Sequence, residues 1–185
     1  MKVFKFGGAS VSTAERIRNV AGILADHKAE KLLVVISAMG KTTNALEKVV
    51  ERFFAGQKEE ALSLFGEIRK DHLLIASELG MAAEPSEGPR LSDFFTEVEW
   101  LLHDRPVRDF DYYYDQVVCV GELLSTAIVS HYLNSRGVEN QWMDVRDIIR
   151  TDNNFRDAGI NWDYTARKVE EQVLPALDRV NIVLT

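Results

Sequence analysis

The chain has 185 residues, 46% hydrophobic and 28% charged, a composition typical of a globular protein with one core and unlike that of a disordered chain. Its formal net charge is −7, so no basic stripe is available for nucleic acid, whereas a small anion held by a few local donors remains compatible. No signal-peptide pattern and no apolar run of about 18 residues is present, and we therefore expect a cytoplasmic protein with no membrane partner.

The first 55 residues predict a βαβα beginning. A strand over Lys2–Phe6 precedes a helix over about 13–27, and a strand over Leu32–Ile36 precedes a glycine turn at Gly40 and a helix over about 42–54. The second strand is a continuous apolar run, typical of a central parallel strand covered on both faces. The pattern predicts a doubly wound α/β sheet.

The middle of the chain, from 57 to about 133, shows no strand pattern. It predicts helices over about 58–79, 91–103 and 113–133, with a turn-rich segment at 84–89 between the first two. We interpret the region as a helical insertion, such as a lid or a side wall.

The last part of the chain returns to short β-like segments. Strands are predicted over about 139–143 and 180–184, with a further candidate at Ile148–Ile149 and a helix over about 163–174. The final apolar run stops where a buried parallel strand normally passes into a ligand-binding loop, so we expect a longer protein.

The junction after the first strand is a candidate phosphate site. Lys5 lies at the carboxyl end of a strand that we expect to be buried on both faces, a position where a lysine requires an anion. Gly7 and Gly8 allow the backbone to approach that anion, and Ser10, Ser12 or Thr13 can cap the following helix. The alternative is an ordinary tight turn, because a Gly-Gly pair alone has little specificity.

The second strand is followed by a similar junction, 37–44, with the sequence Ser-Ala-Met-Gly-Lys-Thr-Thr-Asn. Two adjacent parallel strands that end in such loops would form one cleft. The structural alternative is that Thr42 or Thr43 is only a helix N-cap and Lys41 only a solvated charge.

Glu122 interrupts a helix that is apolar nearly all round, where an unpaired carboxylate is costly. Either an internal cation such as Lys5 or an arginine neutralises it, or it faces a cavity and receives a cationic group such as a substrate amine. Gly121 beside it favours the cavity, because a missing side chain often marks a close approach.

We expect the remaining charged residues, the cysteine and the histidines to have structural roles. Ion pairing within one loop is the expected role of most of Arg146, Arg150, Asp144, Asp147 and Asp152. Cys119, the single cysteine, is expected to be a buried and inert thiol. The four histidines, His27, His72, His103 and His131, are interpreted as ordinary helix residues, and no metal-ligand spacing is found.

Taken together, several segments resemble the aspartokinase family and occur in the family's order: 5–11, 35–44, 121–125 and 144–146 with 150–152. The resemblance spans essentially the whole chain. It implies a truncated amino-acid-kinase fold over 1–185, a three-layer α/β/α structure with a mostly parallel open sheet.

The resemblance also implies a reaction, in which the γ-phosphoryl group of Mg²⁺–ATP passes to the side-chain carboxylate of L-aspartate. By motif, Lys5 would stabilise the transferring group, and Gly7, Gly8 and Ser10 would bind ATP phosphates. Aspartate would be bound by Ser37, Thr43 and Glu122, with Glu122 taking its ammonium group; no protein residue is assigned to a metal. Such transfer needs positioning and charge neutralisation, so a missing nucleophile is no objection.

Two departures from the family pattern matter. Ala9 stands where the family usually has Thr, and Ser10 would compensate for the lost hydroxyl. The family continues beyond the strand at 180–184 into the ATP-binding half and regulatory ACT domains. We therefore expect no turnover by this chain alone. We also expect the whole protein to form a homo-oligomer, namely a dimer.

Two other functions stay open. One is an amino-acid kinase that acts on glutamate or N-acetylglutamate. N-acetylglutamate is acylated and therefore offers no ammonium group to Glu122. The other is a non-catalytic binding or assembly module, in which the region 57–133 serves subunit contacts.

Overall fold

The four strands in the described part of the chain form one parallel sheet. The structure is a computed structural model and describes residues 1–81 and 88–185. Strands β1 (Lys2–Phe6), β2 (Leu32–Ile36), β3 (Gln141–Trp142) and β4 (Ile182–Leu184) are arranged in the order β1-β2-β4-β3. Every pair in this order is parallel, and β1 and β2 are in register from Lys2 opposite Leu32 to Phe6 opposite Ile36. The predicted parallel α/β sheet is therefore confirmed.

Eight helices connect these strands in the described residues. They are α1 (Ala14–Asp26), α2 (Thr42–Phe54), α3 (Lys58–Glu78), α4 (Leu91–His103), α5 (Phe110–Val118), α6 (Val120–Ser135), α7 (Trp162–Lys168) and α8 (Leu174–Arg179). A π-helical turn, Val169–Val173, joins the last two. The predicted helices agree closely with α1 to α4, and Thr13 is the N-cap of α1, accepting a hydrogen bond from the amide of Arg16.

Helices cover both faces of the sheet, as a three-layer α/β/α structure requires. The larger core contains Leu32, Val34 and Ile36 of β2 and the apolar faces of α1 to α6. A smaller core on the other face contains Val183 of β4 with Leu177 and other residues of the region around α8. Alternate residues of the central strands thus enter different cores, which explains their continuous apolar sequence.

Helix α6 lies in the centre of the protein. Twelve of its 16 residues are buried, and it contacts β2, β3 and five other helices. The interpretation of the whole region 57–133 as a lid or side wall is therefore wrong for α6, which forms an integral layer of the core. The all-round apolar sequence of this helix indicated burial, which is confirmed, but it offers no preferred face that would show which elements the helix packs against.

Strand β1 is an edge strand with one open face. Phe4 and Phe6 pack against the larger core, whereas Val3 is 59% exposed and Lys5 is exposed. The expectation that this strand is buried on both faces is wrong for this chain. An apolar strand sequence does not reveal which face a neighbouring layer covers.

Several element boundaries also differ from the predictions. The helix predicted over 113–133 is two helices that meet at Cys119, where the amide of Glu122 bonds to the carbonyl three residues earlier. Ile148 and Ile149 are not a strand, because Ile148 ends a 3₁₀ turn, Val145–Asp147. Most of the turn predicted at 84–89 lies outside the described residues.

One helical run, Phe110–Ser135, is long and apolar enough to cross a membrane by length and composition alone. Of the 18-residue segment of this run that was tested for hydropathy, 78% is buried inside the protein. The buried core helix of a globular protein has the same properties.

Candidate functional site

The loops after β1 and β2 are joined by backbone hydrogen bonds. The amide of Ser37 donates to the carbonyl of Phe6 at 3.0 Å, and the amide of Gly40 donates to the carbonyl of Gly8 at 3.0 Å. Gly40 has a φ of +53°, a left-handed conformation that favours glycine. The two loops thus lie together at one edge of the sheet, while the cleft predicted between them stays a prediction.

Gly8 is required for this contact between loops. A Cβ at this position would lie 2.5 Å from the carbonyl oxygen of Ala38, and 3.2 Å from that of Gly40. Such a distance to backbone atoms is too short for any side chain. The immediate reason for glycine here is therefore the second loop, and its predicted role in phosphate binding stays a prediction.

Lys5 and Gly7 lie side by side at the end of β1. The Nζ atom of Lys5 is 3.6 Å from the position that a Cβ on Gly7 would take. Among the described residues no carboxylate forms an ion pair with Lys5. An exposed ammonium group beside an unhindered backbone can accept an anion at this point.

Ser10 belongs to a short 3₁₀ turn, Gly8–Val11, that separates β1 from α1. Its amide donates to the carbonyl of Gly7 at 2.8 Å, and the side chain is partly buried. Of the three proposed capping residues, Thr13 caps α1, whereas the hydroxyl of Ser12 donates to Ala9. Ser10 is thus near the end of β1 but does not cap the helix.

Glu122 lies in the first turn of α6 and faces the second loop. Its Oε1 accepts a hydrogen bond from the amide of Ala38 at 3.3 Å. No Lys, Arg or His of the described chain forms an ion pair with it, so neither Lys5 nor an arginine neutralises this carboxylate there. Burial raises the pKa of Glu122, while the hydrogen bond from Ala38 acts in the opposite direction.

Gly121 brings α6 against the second loop. A Cβ on Gly121 would lie 3.1 Å from the Cβ of Ala38, 3.2 Å from Leu46 and 3.3 Å from Thr42. The predicted close approach is correct, but its cause is dense packing between helix and loop and not a cavity beside Gly121. The carboxylate of the next residue is thereby held at the loop.

Ser37 and Thr43 are both partly buried at the ends of the second loop. The carbonyl of Ser37 accepts a hydrogen bond from the hydroxyl of Ser125 at 2.8 Å, which ties the loop to the next turn of α6. Thr43 lies in the first turn of α2. The hydroxyl of the preceding residue, Thr42, donates to the carbonyl of Met39 at 2.7 Å. This contact of Ser125 was not predicted from the sequence, although the position of a serine one turn after Glu122 could have indicated it.

In the described loop only Arg146 and Asp144 pair with each other, and Asp152 accepts from the backbone amides of Asn154 and Gly159, so the prediction of ion pairing for most of these charges is wrong. Arg146 donates to both oxygens of Asp144 and also to Glu97 of α4, which raises the pKa of the guanidinium. Arg150 instead lies over the ring of Tyr164, 4.8 Å from its centroid. The expectation of an ion pair is wrong for Arg150 within the described chain, because the aromatic ring occupies its face.

The single thiol and the histidines mostly have the expected structural roles. Cys119 is only partly buried, so the expectation of a buried thiol is wrong, but desolvation still raises its pKa to about 11, in agreement with an unreactive thiol. His27 and His131 bond to Glu30 and to the carbonyl of Pro89. His72 differs, because it is 2% exposed and its Nε2 has no partner among the described residues.

These residues make up a candidate site with two chemical ends at the carboxyl edge of the sheet. The first end is the ammonium group of Lys5 with the adjoining Gly7 backbone, and the second is the Glu122 carboxylate held by the amide of Ala38. The carboxyl ends of adjacent parallel strands are the usual place for ligands in open α/β sheets. The arrangement can receive an anion at the first end and a cation at the second.

Comparisons with known proteins agree with this architecture. The family model described as "Amino acid kinase family" matches residues 1–184. Aspartokinase 1 and aspartokinase 2 of Arabidopsis thaliana, both chloroplastic, are 35% and 32% identical over 95% and 96% of this chain. The chain covers 29% and 31% of those two proteins, and so spans about a third of their length.

Solved structures are similar over nearly all of the chain. The crystal structure of E. coli aspartokinase III in complex with aspartate and ADP matches with a TM-score of 0.80 and 26% identity, covering 99% of this chain and 40% of that one. The same enzyme in complex with lysine and aspartate matches with a TM-score of 0.76 and 26% identity, again over 99% of this chain and 40% of that one.

Proposed function

Because the chain belongs to the amino acid kinase family, we propose that it forms the aspartate-binding part of an aspartate kinase. The enzyme would transfer the γ-phosphoryl group of ATP to the side-chain carboxylate of L-aspartate and give 4-phospho-L-aspartate, the first step of lysine, threonine and methionine biosynthesis. The observation that carries the proposal is the Glu122 carboxylate, which has no cation partner in the described chain and lies at the loop joined to the Lys5–Gly7 junction.

The relatives support the choice of substrate. The matching curated proteins are aspartokinases, and the similar E. coli structures contain aspartate, in one case with ADP. An α-ammonium group fits a carboxylate that lacks an internal cation, because such a pair offsets the desolvation of both charges. N-acetylglutamate has no ammonium group and would leave Glu122 unpaired.

The residues would act by positioning and by neutralising charge. Glu122 would hold the substrate ammonium, with Thr43 and Ser37 at the same loop, so that the side-chain carboxylate faces the end of β1. An oxygen of that carboxylate would form the bond to the γ-phosphorus while the bond from phosphorus to the ADP oxygen breaks. Lys5, with Gly7, Gly8 and Ser10, would stabilise the charge on the phosphoryl oxygens. Mg²⁺ would arrive with ATP, bound to its phosphate oxygens.

The proposal is tested by titrating the chain calorimetrically with L-aspartate, L-glutamate and N-acetylglutamate. We expect aspartate to bind most tightly, and Glu122→Gln to weaken its binding about 10-fold to 100-fold, as the loss of a charge-assisted contact requires. Glu47→Gln, a partly buried carboxylate in α2, is the matched control and leaves affinity unchanged. Unchanged aspartate affinity in Glu122→Gln would refute the assigned role.

We propose that the chain alone has no turnover, since it spans about a third of its relatives. Trapping of aspartyl phosphate as the hydroxamate, with ATP present, tests this directly. In the longer protein, Lys5→Met should lower kcat more than it raises KM for aspartate, because Lys5 would act on the transferring group. We further propose a cytoplasmic homodimer, which solution light scattering of the longer protein would test.

A further inference from the structure

Helix α6 holds both ends of one peptide group in the loop after β2. The hydroxyl of Ser125 donates to the carbonyl of Ser37 at 2.8 Å, and Oε1 of Glu122 accepts from the amide of Ala38 at 3.3 Å. That carbonyl and that amide belong to the same peptide bond, which is planar. Because Glu122 and Ser125 are three residues apart, they lie on the same face of α6. The helix therefore fixes the orientation of this peptide plane.

The bond from Ser125 differs from the usual bond of a hydroxyl in a helix. Serine and threonine side chains in helices commonly donate to a carbonyl of the preceding turn. Thr126 and Ser135 of α6 do so, each to the carbonyl three residues earlier. Ser125 is fully buried and instead donates to a residue 88 positions away in the sequence. Its hydroxyl thus bonds to the loop and not to its own helix.

The peptide group connects this hydroxyl to Glu122. A hydroxyl that donates to a peptide carbonyl polarises the peptide and makes its N–H group a stronger donor. The hydrogen bond from the amide of Ala38 lowers the pKa of Glu122, against the larger effect of burial, which raises it. A stronger and better aligned amide donor therefore both orients the carboxylate and favours its ionised form.

We propose that Ser125 is a positioning residue, which aims the amide of Ala38 at Glu122 and so orients the carboxylate for a substrate ammonium group. The ammonium group rests on the proposed function, whereas the connection from Ser125 to Glu122 rests on the contacts above. Ser125 would not touch the substrate, because its side chain is fully buried. The loop is also bonded to the junction after β1, so the loss of this one hydroxyl should change the peptide orientation without detaching the loop.

The first test uses the 185-residue chain without ligand. A pH titration follows the side-chain carboxyl ¹³C resonance of Glu122 and the amide resonance of Ala38. We expect Ser125→Ala to raise the pKa of Glu122, and about to halve the shift that its ionisation causes at the Ala38 amide. Ser130→Ala is the matched control, because this buried hydroxyl of α6 donates to Asn140 at 2.7 Å and not to the loop. Identical titrations in Ser125→Ala and the parent would overturn the proposal.

The second test separates positioning from a general loss of stability. Calorimetric titration with L-aspartate should show binding about threefold to tenfold weaker in Ser125→Ala than in the parent, as expected for one hydrogen bond. Ser130→Ala should lose a similar unfolding free energy but bind aspartate as the parent does. Equal aspartate affinity in Ser125→Ala and the parent, or an equal loss in Ser130→Ala, would contradict the positioning role.

A double variant tests whether Ser125 acts through Glu122. In the Glu122→Gln background, Ser125→Ala should weaken aspartate binding less than twofold further, because the carboxylate that it orients is already gone. Full additivity of the two losses would contradict this route. A parent that binds no aspartate would refute the proposed function and with it the ligand part of this inference, while the titration without ligand separately decides the connection from Ser125 to Glu122.

Discussion

The backbone amide of Ala38 donates a hydrogen bond to Oε1 of Glu122 at 3.3 Å, across 84 residues of sequence. This contact joins the first turn of α6 to the loop after β2. Because the same loop is bonded to Gly8 after β1, the carboxylate is held in one assembly with the junction that contains Lys5. A change at Glu122 should therefore affect both ligand binding and the stability of the loop.

Glu122→Gln should raise the free energy of unfolding at neutral pH. The pKa of Glu122 is raised above 4.5 in the folded protein by burial, so the folded state binds its proton more tightly than the unfolded chain does. The ionised carboxylate thus lowers stability as the pH rises through the folded pKa. The difference between variant and parent should shrink as the pH falls below 4.5, in urea unfolding series at several pH values. If the gain in unfolding free energy of Glu122→Gln stayed constant with pH, ionisation of the buried carboxylate would not be its cause.

Gly121→Ala should destabilise the protein. The new Cβ would meet Ala38, Leu46 and Thr42 at 3.1–3.3 Å, and such overpacking costs about 1–3 kcal/mol, offset by about 1 kcal/mol of better helix propensity. Gly66→Ala in α3 is the matched control, because nothing lies within 4 Å of its added Cβ. Urea unfolding should show Gly66→Ala more stable than the parent by up to about 1 kcal/mol. Equal effects of the two substitutions would show that α6 does not pack as described.

Gly8→Ala should disrupt the contact between the two loops. Its Cβ would lie 2.5 Å from a backbone oxygen of Ala38, which cannot rotate away, and we expect a loss of about 2 kcal/mol or more in unfolding free energy. Gly7→Ala is the control, because its Cβ would meet only the Nζ of Lys5 at an ordinary 3.6 Å. Gly7→Ala should therefore leave the unfolding free energy unchanged. If Gly7→Ala lost more unfolding free energy than Gly8→Ala, the close contact at Gly8 would be refuted.

Cys119 should react slowly with thiol reagents. Burial raises its pKa from 9.0 to about 11, so the thiolate fraction at pH 8 is about a hundredfold lower than for the unperturbed group. The rate of disulfide exchange with an aromatic disulfide reagent should rise at least to that extent when the chain is unfolded in urea at the same pH. Equal rates in the two states would show an accessible and ionised thiol.

Local sequence predicted much of the secondary structure. Apolar runs predicted β1 and β2 at their observed bounds, and helical periodicity with polar caps predicted α1 to α4 closely. These features depend on residues within one or two turns of each other. The candidate residues Gly121 and Glu122 could be found for the same reason, because a glycine and a charge are conspicuous in an apolar helix.

The predictions failed where a residue's surroundings come from distant parts of the chain. The sequence did not show that one face of β1 is open or that Arg150 lies over Tyr164, and the all-round apolar sequence of α6 indicated burial without showing that the helix forms a central layer. His72 is a further case, since its helical position is ordinary and only the packing of α2 and α3 leaves its Nε2 without a partner in the described chain.

By itself, the sequence determined the order of strands and helices, the glycine junctions and the resemblance to a kinase family, because these reside in residues adjacent along the chain. Only the tertiary structure decided that Glu122 meets the amide of Ala38 with no cation partner among the described residues, that Gly8 must be small to accept the second loop, and that Ser125 bonds to the same peptide group as Glu122. Burial and hydrogen-bond partners are properties of the packed chain, which local pattern does not contain.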